Sequence, residues 1–169
     1  MIREGIQRLI ENADLSYGEA CSIMTEVISG QSTNAQTAAF LAALRMKGET
    51  TEELIAFASV MRNHCRQIHP RVSGRLIDTC GTGGDKLKTF NVSTAAAFVT
   101  AGAGVSVAKH GNRAVTSNSG SADVLEKLGL SLNGDPEIVE GIIEKVGVGF
   151  MFAPAFHPAM KYAAEPRRE

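Results

Sequence analysis

A change of texture at His69-Pro70 constrains the fold more than any other feature of the chain. Ahead of it, apolar residues recur at helical spacing, and signatures that cap helices open one segment after another. Beyond it, short apolar runs alternate with capped helical segments, the pattern of a parallel α/β sheet. Pro70 biases His69 away from the α region, and 68–74 carries no helical period, so a boundary between two lobes belongs there. The division expected is a helical domain over 1–68 and an α/β domain over 75–169. A length of 169 residues accommodates two small lobes.

In the first lobe, Ile2, Ile6, Leu9 and Ile10 mark a helix over 2–11. Three capping boxes follow: Ser16 with Glu19, Thr33 with Gln36, and Thr50 with Glu53. The first opens a helix with an apolar stripe of Ala20, Ile23, Met24, Val27 and Ile28 that stops at Gly30. The second leads through Leu41, Leu44 and Met46 to Gly48. The third opens a helix expected to turn Leu54, Phe57, Ala58 and Met61 inward. Four helices with short connections imply a compact helical lobe.

In the second lobe, 76–79 reads as a strand, Asn91 as the cap of a helix carrying Ala95, Phe98 and Val99, and 105–108 as a second strand. After a polar loop, Ser121 is expected to cap a helix with Val124, Leu125 and Leu128. Asp135 and Pro136 open another with Ile138, Val139, Ile142, Ile143 and Val146 inward and Gly147 as its stop. A third strand over 148–152 leads into a short helical stretch. Three parallel strands make a thin, incomplete sheet with no evident cover on one side, so the chain is expected to be the front part of a longer protein.

A net charge of −1 and 5% aromatic residues give no basic stripe and no stacking platform, which argues against a nucleic-acid partner. The first residues lack the apolar core of a secretory signal, and no apolar run reaches the roughly 18 residues a membrane span needs. Three widely spaced cysteines fit reduced thiols. A cytoplasmic protein without a membrane partner is expected.

Chemistry concentrates in the loops after the strands, where open α/β sheets bind ligands. In DTCGTGGDKLKTFNVS, over 78–93, Gly81, Gly83 and Gly84 let backbone N–H groups face an anion without Cβ obstruction. Asp85 adds a carboxylate suited to a bridging Mg²⁺ or a sugar hydroxyl, while Asn91, Ser93 and Thr94 add polar groups at a helix start. Alone, the loop also admits the reading of a tight turn between strand and helix. The second loop gathers Lys109, His110, Asn112, Arg113, Thr116, Ser117, Ser119 and Ser121, donors for a second phosphate or simply a solvated loop. Together, two anion sites in one crevice suggest a ligand with phosphates at both ends. His64, Cys65 and His69 lack a four-ligand pattern, so no zinc site is assigned. His157 reads as a packed imidazole in preference to a crevice residue.

DTCGTGGD (78–85), TFNVST (89–94), KHGNR (109–113), SGSAD (119–123) and FMFAPAFHPAMK (150–161) together resemble the anthranilate phosphoribosyltransferase family over essentially the whole chain. The resemblance implies an α/β catalytic domain of the nucleoside phosphorylase and phosphoribosyltransferase type behind a helical lobe. It also implies Mg²⁺-dependent transfer of a phosphoribosyl group from 5-phosphoribosyl 1-diphosphate to anthranilate in tryptophan biosynthesis. Implied donor ligands are Gly81, Gly84, Asp85, Thr89, Asn91, Val92, Ser93 and Thr94 in the first motifs. The second loop adds Lys109, His110, Gly111, Asn112, Arg113, Ala114, Val115, Thr116, Ser117 and Ser121. Ser93 would also touch Mg²⁺, Gly81 and Asn112 would border anthranilate, and Arg167 would pair with its carboxylate. No general base is implied, because positioning and stabilisation of the leaving diphosphate suffice.

Two departures from the family pattern matter. Family members are roughly twice as long and carry an Asp-Glu metal pair in the remaining portion, and Lys86 stands where many relatives have Gly. Weak donor binding and poor turnover by this chain alone are therefore expected. A homodimer through the helical lobe is implied as well. The alternatives are an enzyme resembling pyrimidine nucleoside phosphorylase, against which KHGNR and FNVST count, and a non-catalytic helical association module supported by the Ala-rich helices.

Overall fold

The computed structural model describes residues 1–81, 90–114, 119–132 and 134–168. The chain forms two compact units, Met1–Cys65 with His157–Glu169, and Arg66–Phe156. The first is helical: α1 (Ile2–Ile10), α2 (Tyr17–Ile28), α3 (Asn34–Lys47) and α4 (Thr51–Asn63). All three expected capping boxes form, so the starts of α2, α3 and α4 follow from side chains only three residues away. Ile2, Leu9, Leu15, Ala20, Ile23, Val27, Phe40, Leu44 and Ala56 make the core, with Phe57 set edge-on to Phe40.

Two faces differ from expectation. In α4 the buried residues are Glu53, Ala56 and Val60, while Leu54 is exposed, so the inward stripe is rotated by about one position. In α3 Thr37, Phe40 and Leu44 face in and Met46 is exposed. The reason in α4 is Glu53. Its carboxylate accepts from Leu15 N at 2.9 Å, Thr50 N at 2.8 Å and Lys47 Nζ at 3.0 Å, which fixes that edge of the helix inward.

The expected α/β domain ran on through 157–169, but this segment packs with the helices. A 3-10 turn over Pro158–Ala163 buries Ala163 in the helical core, and Asn34 Nδ2 donates to Glu165 Oε2 at 2.6 Å. The residues after Cys65 belong to the second unit. Arg66 N donates to Phe156 O at 2.8 Å, and Ile68 and Val72 pack on the cluster of Ala108, Val139, Ile143, Met151 and Phe156.

In the second unit β1 (Leu76–Ile77), α5 (Val92–Gly102), β2 (Ser106–Gly111), α6 (Ser121–Lys127), α7 (Pro136–Val146), β3 (Val148–Phe152) and α8 (Ala153–Phe156) follow in order. The strands form a parallel sheet in the order β1-β2-β3, with Leu76 opposite Ser106 and Val107 opposite Val148. This confirms a helical lobe with a small parallel α/β sheet. Asp135 caps α7 with Pro136 in its first turn, and Gly147 ends it at φ +82°, as expected.

The differences are local. The first strand stops at Ile77 because the Asp78 side chain takes up Cys80 N. The second runs to Gly111, which places Lys109 and His110 on a strand rather than in a loop. Gly120, not Ser121, occupies the cap position of α6, where Asp123 accepts its N–H. The buried residues of α5 are Thr94 and Ala97, while Phe98 and Val99 are exposed; Leu128, Ile138 and Val146 are exposed too. Phe98, Leu128 and Ile138 line an apolar cavity of about 470 Å³, with Thr94 and Lys109 among its polar lining.

Candidate functional site

The carboxyl ends of β1 and β2 lie side by side because the strands are parallel and paired. Asp78, the residue after β1, takes the central place. Its Oδ1 accepts from Cys80 N at 2.9 Å and from His110 N at 3.2 Å, and its Oδ2 lies 2.9 Å from His110 Nδ1. Thr79 Oγ1 donates to Ser93 O at 2.8 Å, tying the chain after β1 to the first turn of α5. Lys109 Nζ donates to Ser93 Oγ at 3.2 Å and to His110 O at 3.3 Å. Three chain segments thus meet through side chains that sequence distance keeps far apart.

Electrostatics follow from burial. Partial burial works against the Asp78 carboxylate, but His110 and the N–H of Cys80 outweigh it and hold its pKa below the ordinary range. Burial lowers the pKa of Lys109, with Asp78 acting in the opposite sense. Lys109 is 2% exposed and makes no ion pair among the described residues, so its ammonium is a desolvated charge with a third N–H to give. Thr94 Oγ1 in the same region is buried without a hydrogen-bond partner. An anion at the start of α5 would meet both the cation and the positive end of the helix dipole. Burial, then Asp78, raises the pKa of the Cys80 thiol, which makes it a poor nucleophile.

The second loop is held by Asp123. Its Oδ2 accepts from Ala114 N at 2.9 Å and Gly120 N at 2.8 Å, closing the loop at both ends. Asn112 accepts from Ala122 N through its carbonyl at 3.1 Å and from Arg113 N through Oδ1 at 2.8 Å. A Cβ on Gly120 would lie 2.5 Å from Asn112 O and would also collide with Ala114 N, so only glycine permits this backbone crossing.

Of the residues expected at the site, Ser93, Thr94, Lys109 and His110 are brought together, with Gly111 ending the strand that carries the last two. Asn91 stands at the start of α5, but its side chain donates to Gly120 O at 3.4 Å instead of capping the helix. Val92 is exposed. Arg113 is engaged elsewhere: it grips Glu126 at 2.7 and 2.9 Å and Asp123 at 3.2 Å, contacts that raise its pKa. Ala114 contributes its N–H to Asp123, and Ser121 opens α6. Gly81 is exposed, and Arg167 lies exposed in the helical unit, its N–H donating to Ala163 O at 3.3 Å. Gly84, Asp85, Thr89, Val115, Thr116 and Ser117 lie outside the described residues.

Asp78 and Asp123 were not among the expected site residues. A signal existed for each: a carboxylate directly ahead of a glycine loop, and an acid three residues after a cap position.

For Mg²⁺, the described residues offer the Ser93 hydroxyl, and no group of three His, Cys, Asp or Glu residues among them could hold a metal. Ser93 Oγ already accepts from the Lys109 ammonium, a cation where a metal would have to approach. The described residues alone therefore do not fit a Mg²⁺ cage, and a metal there would depend on oxygens from a ligand.

Comparisons with known proteins show what the two units are similar to. Residues 3–65 match the helical bundle domain, and residues 73–169 the a/b domain, of a glycosyl transferase family. An anthranilate phosphoribosyltransferase of Methanocorpusculum labreanum is 57% identical over 169 residues, covering 100% of this chain and 50% of the relative. One from Anaeromyxobacter dehalogenans is 59% identical over 170 residues, again with 50% of the relative covered. Among solved structures, anthranilate phosphoribosyltransferase from Thermus thermophilus superimposes with a TM-score of 0.85 at 43% identity, over 97% of this chain and 50% of that one. The Saccharomyces cerevisiae enzyme in complex with PRPP and Mg gives 0.87 at 28% identity, over 99% and 50%. The chain spans about half the length of the relatives it matches.

Proposed function

Since the chain belongs to the glycosyl transferase family, on the branch of the anthranilate phosphoribosyltransferases, we propose that it supplies the donor-binding part of the phosphoribosyl transfer from 5-phosphoribosyl 1-diphosphate to anthranilate. The observation that carries this reading is the desolvated Lys109 ammonium, which lacks an ion pair among the described residues and is held on Ser93 Oγ at the start of α5. A diphosphate supplies the missing anion.

In this reading Lys109 binds the leaving diphosphate and stabilises the charge it gathers as the bond to C1 of the ribose breaks, a preorganised cation acting in a dry site. Ser93 and Lys109 orient each other; Thr94 Oγ1 offers its unused hydrogen bond to a donor oxygen. Asn112 and Gly81 are assigned to the edge of the anthranilate site. The Saccharomyces cerevisiae structure with PRPP and Mg supports Mg²⁺ as the cofactor, which when bound neutralises diphosphate charge. The three cysteines are free thiols, which supports a cytoplasmic setting. Among the described residues no helix is long and apolar enough to cross a membrane. Exposed Met46, Leu54 and Ile55 support a homodimer through the helical lobe.

Calorimetry with 5-phosphoribosyl 1-diphosphate and Mg²⁺, set against phosphate with uridine, tests the reading. Binding of the first and not the second is expected, and the reverse result would assign the chain to nucleoside phosphorolysis. Turnover by this chain alone, followed by anthranilate fluorescence, is expected to be poor; near-normal turnover would refute that part.

A further inference from the structure

Two buried polar groups with hydrogen bonds still to make, counted among the described residues, line the apolar cavity of about 470 Å³ in the α/β unit. One is Thr94, 3% exposed, whose Oγ1 has no hydrogen-bond partner among them. The other is Lys109, 2% exposed, whose ammonium gives one N–H to Ser93 Oγ and one to His110 O and keeps a third. We propose that the cavity binds a small aliphatic monocarboxylate, its head on Thr94 Oγ1 and Lys109 Nζ and its chain along the apolar wall, and that this ligand excludes the diphosphate of the donor. The site stands on the cavity itself, while the exclusion rests on the donor-site reading given above.

The volume falls within the roughly 300–1,000 Å³ of small-molecule pockets, which combine a mostly apolar wall with a few polar groups. Lys109 Nζ is held on Ser93, the residue before Thr94, which keeps the two polar groups close together. The wall is made by Phe98 of α5, Leu125 and Leu128 at α6, Ile138 and Ile142 of α7, and Phe150 of β3. Phe98, Leu128 and Ile138 are 48, 73 and 59% exposed, so an apolar chain lying there takes water off surface that the fold leaves wet.

The head follows from the donors. An ammonium N–H and a hydroxyl supply two donors and one positive charge, which match the two oxygens and single charge of a carboxylate. A phosphate dianion in the cavity would bring surplus charge, and acceptors without donors, against an apolar wall, which desolvation opposes. With a single N–H left, Lys109 serves either the carboxylate or the diphosphate.

Calorimetry on the full chain with octanoate, 1-octanol and acetate as probes is the test. One octanoate per chain is expected, with a Kd at least tenfold below those of octanol, which lacks the charge, and acetate, which lacks the chain. Lys109→Met keeps the apolar wall and removes the cation, so octanoate and octanol should then differ less than twofold. Ile138→Glu puts a carboxylate at an exposed position of the wall and should weaken octanoate at least tenfold, with a circular dichroism melt reporting that the fold stands. Saturating octanoate should raise the apparent Kd of the parent for 5-phosphoribosyl 1-diphosphate at least tenfold. No octanoate binding, equal affinity for octanoate and octanol, several octanoates per chain, or binding that Ile138→Glu leaves unchanged overturns the site. Octanoate binding that weakens as protein concentration rises overturns it too, because a second copy of the chain then covers the cavity. Octanoate bound beside an unchanged donor affinity overturns the exclusion. A parent that binds octanoate and no donor refutes the donor-site reading and leaves the carboxylate site standing.

Discussion

Replacing Glu53 by Gln removes one charge from the helical core and rearranges three bonds. The carboxylate is fully buried; Oε1 accepts from Leu15 N, and Oε2 from Thr50 N and Lys47 Nζ. Glutamine has one acceptor oxygen and one NH₂. Either Leu15 N–H, or Thr50 N–H with Lys47, must then face a donor, and one buried unsatisfied N–H costs about 1–3 kcal/mol. Lys47, whose side chain is 3% exposed, keeps Asp14 at 2.8 Å and Gly48 O at 2.8 Å but loses its buried carboxylate. Breaking a buried pair from one side costs about 3–5 kcal/mol, a figure that already contains the unsatisfied donor.

At about 2–4 °C per kcal/mol for a chain of this size, the helical signal should melt about 6–20 °C lower. Circular dichroism at 222 nm reads this, with the exposed Glu52→Gln as a control expected to move little. Acidification checks the sign. Burial opposes ionisation of Glu53, but the N–H groups of Thr50 and Leu15 and the Lys47 ammonium prevail, so the folded pKa lies below its ordinary 4.5. The carboxylate therefore stabilises the fold above pH 4.5 and loses that contribution as pH falls through the lowered value. Glu53→Gln should flatten this acid loss. A melting point within about 2 °C of the parent, where at least 6 °C is predicted, would refute the burial argument.

Other substitutions separate folding from binding. Lys109→Met should leave the melting temperature unchanged or higher, because it removes a buried ammonium, yet raise the Kd for 5-phosphoribosyl 1-diphosphate at least tenfold by calorimetry. The same burial lowers the folded pKa of Lys109, so the parent should gain stability as pH rises from that value toward the ordinary 10.5, and Lys109→Met should lack this gain in alkaline urea titrations. Gly120→Ala should cost about 1–3 kcal/mol in urea unfolding, because the new methyl meets main chain that cannot yield. Gly141→Ala, in open space inside α7, should instead gain about 0.5–1 kcal/mol. Light scattering should report a dimer, and Leu54→Lys with Ile55→Lys should shift it to a monomer if the helical lobe carries the contact.

The starts of α2, α3, α4 and α7 were legible because each is closed by a side chain within three residues, so no distant partner is needed to specify it. The parallel sheet was legible for a similar reason, since apolar runs mark its strands directly. The inward faces of α3, α4 and α5 were not. Ala-rich helices carry apolar residues nearly all round, and the stripe that is buried depends on which surfaces lie opposite. Leu54 and Phe98 look like core and are exposed, while the charged Glu53 is buried because Leu15, 38 residues away, needs its carboxylate.

The strand-end site divides the same way. The sequence alone singled out Lys109, His110, Ser93 and Thr94, through their residue types and their place after apolar runs, and the structure brings them together. Tertiary structure decided that Arg113 is tied to Glu126 and Asp123, that the closing segment returns to the helices, and that Asp78 grips a ring 32 residues further on. The physical reason is range. A cap or turn is settled by hydrogen bonds within a few residues of chain, whereas a buried carboxylate or a buried cation acquires its role only when strands and helices from distant positions remove its water.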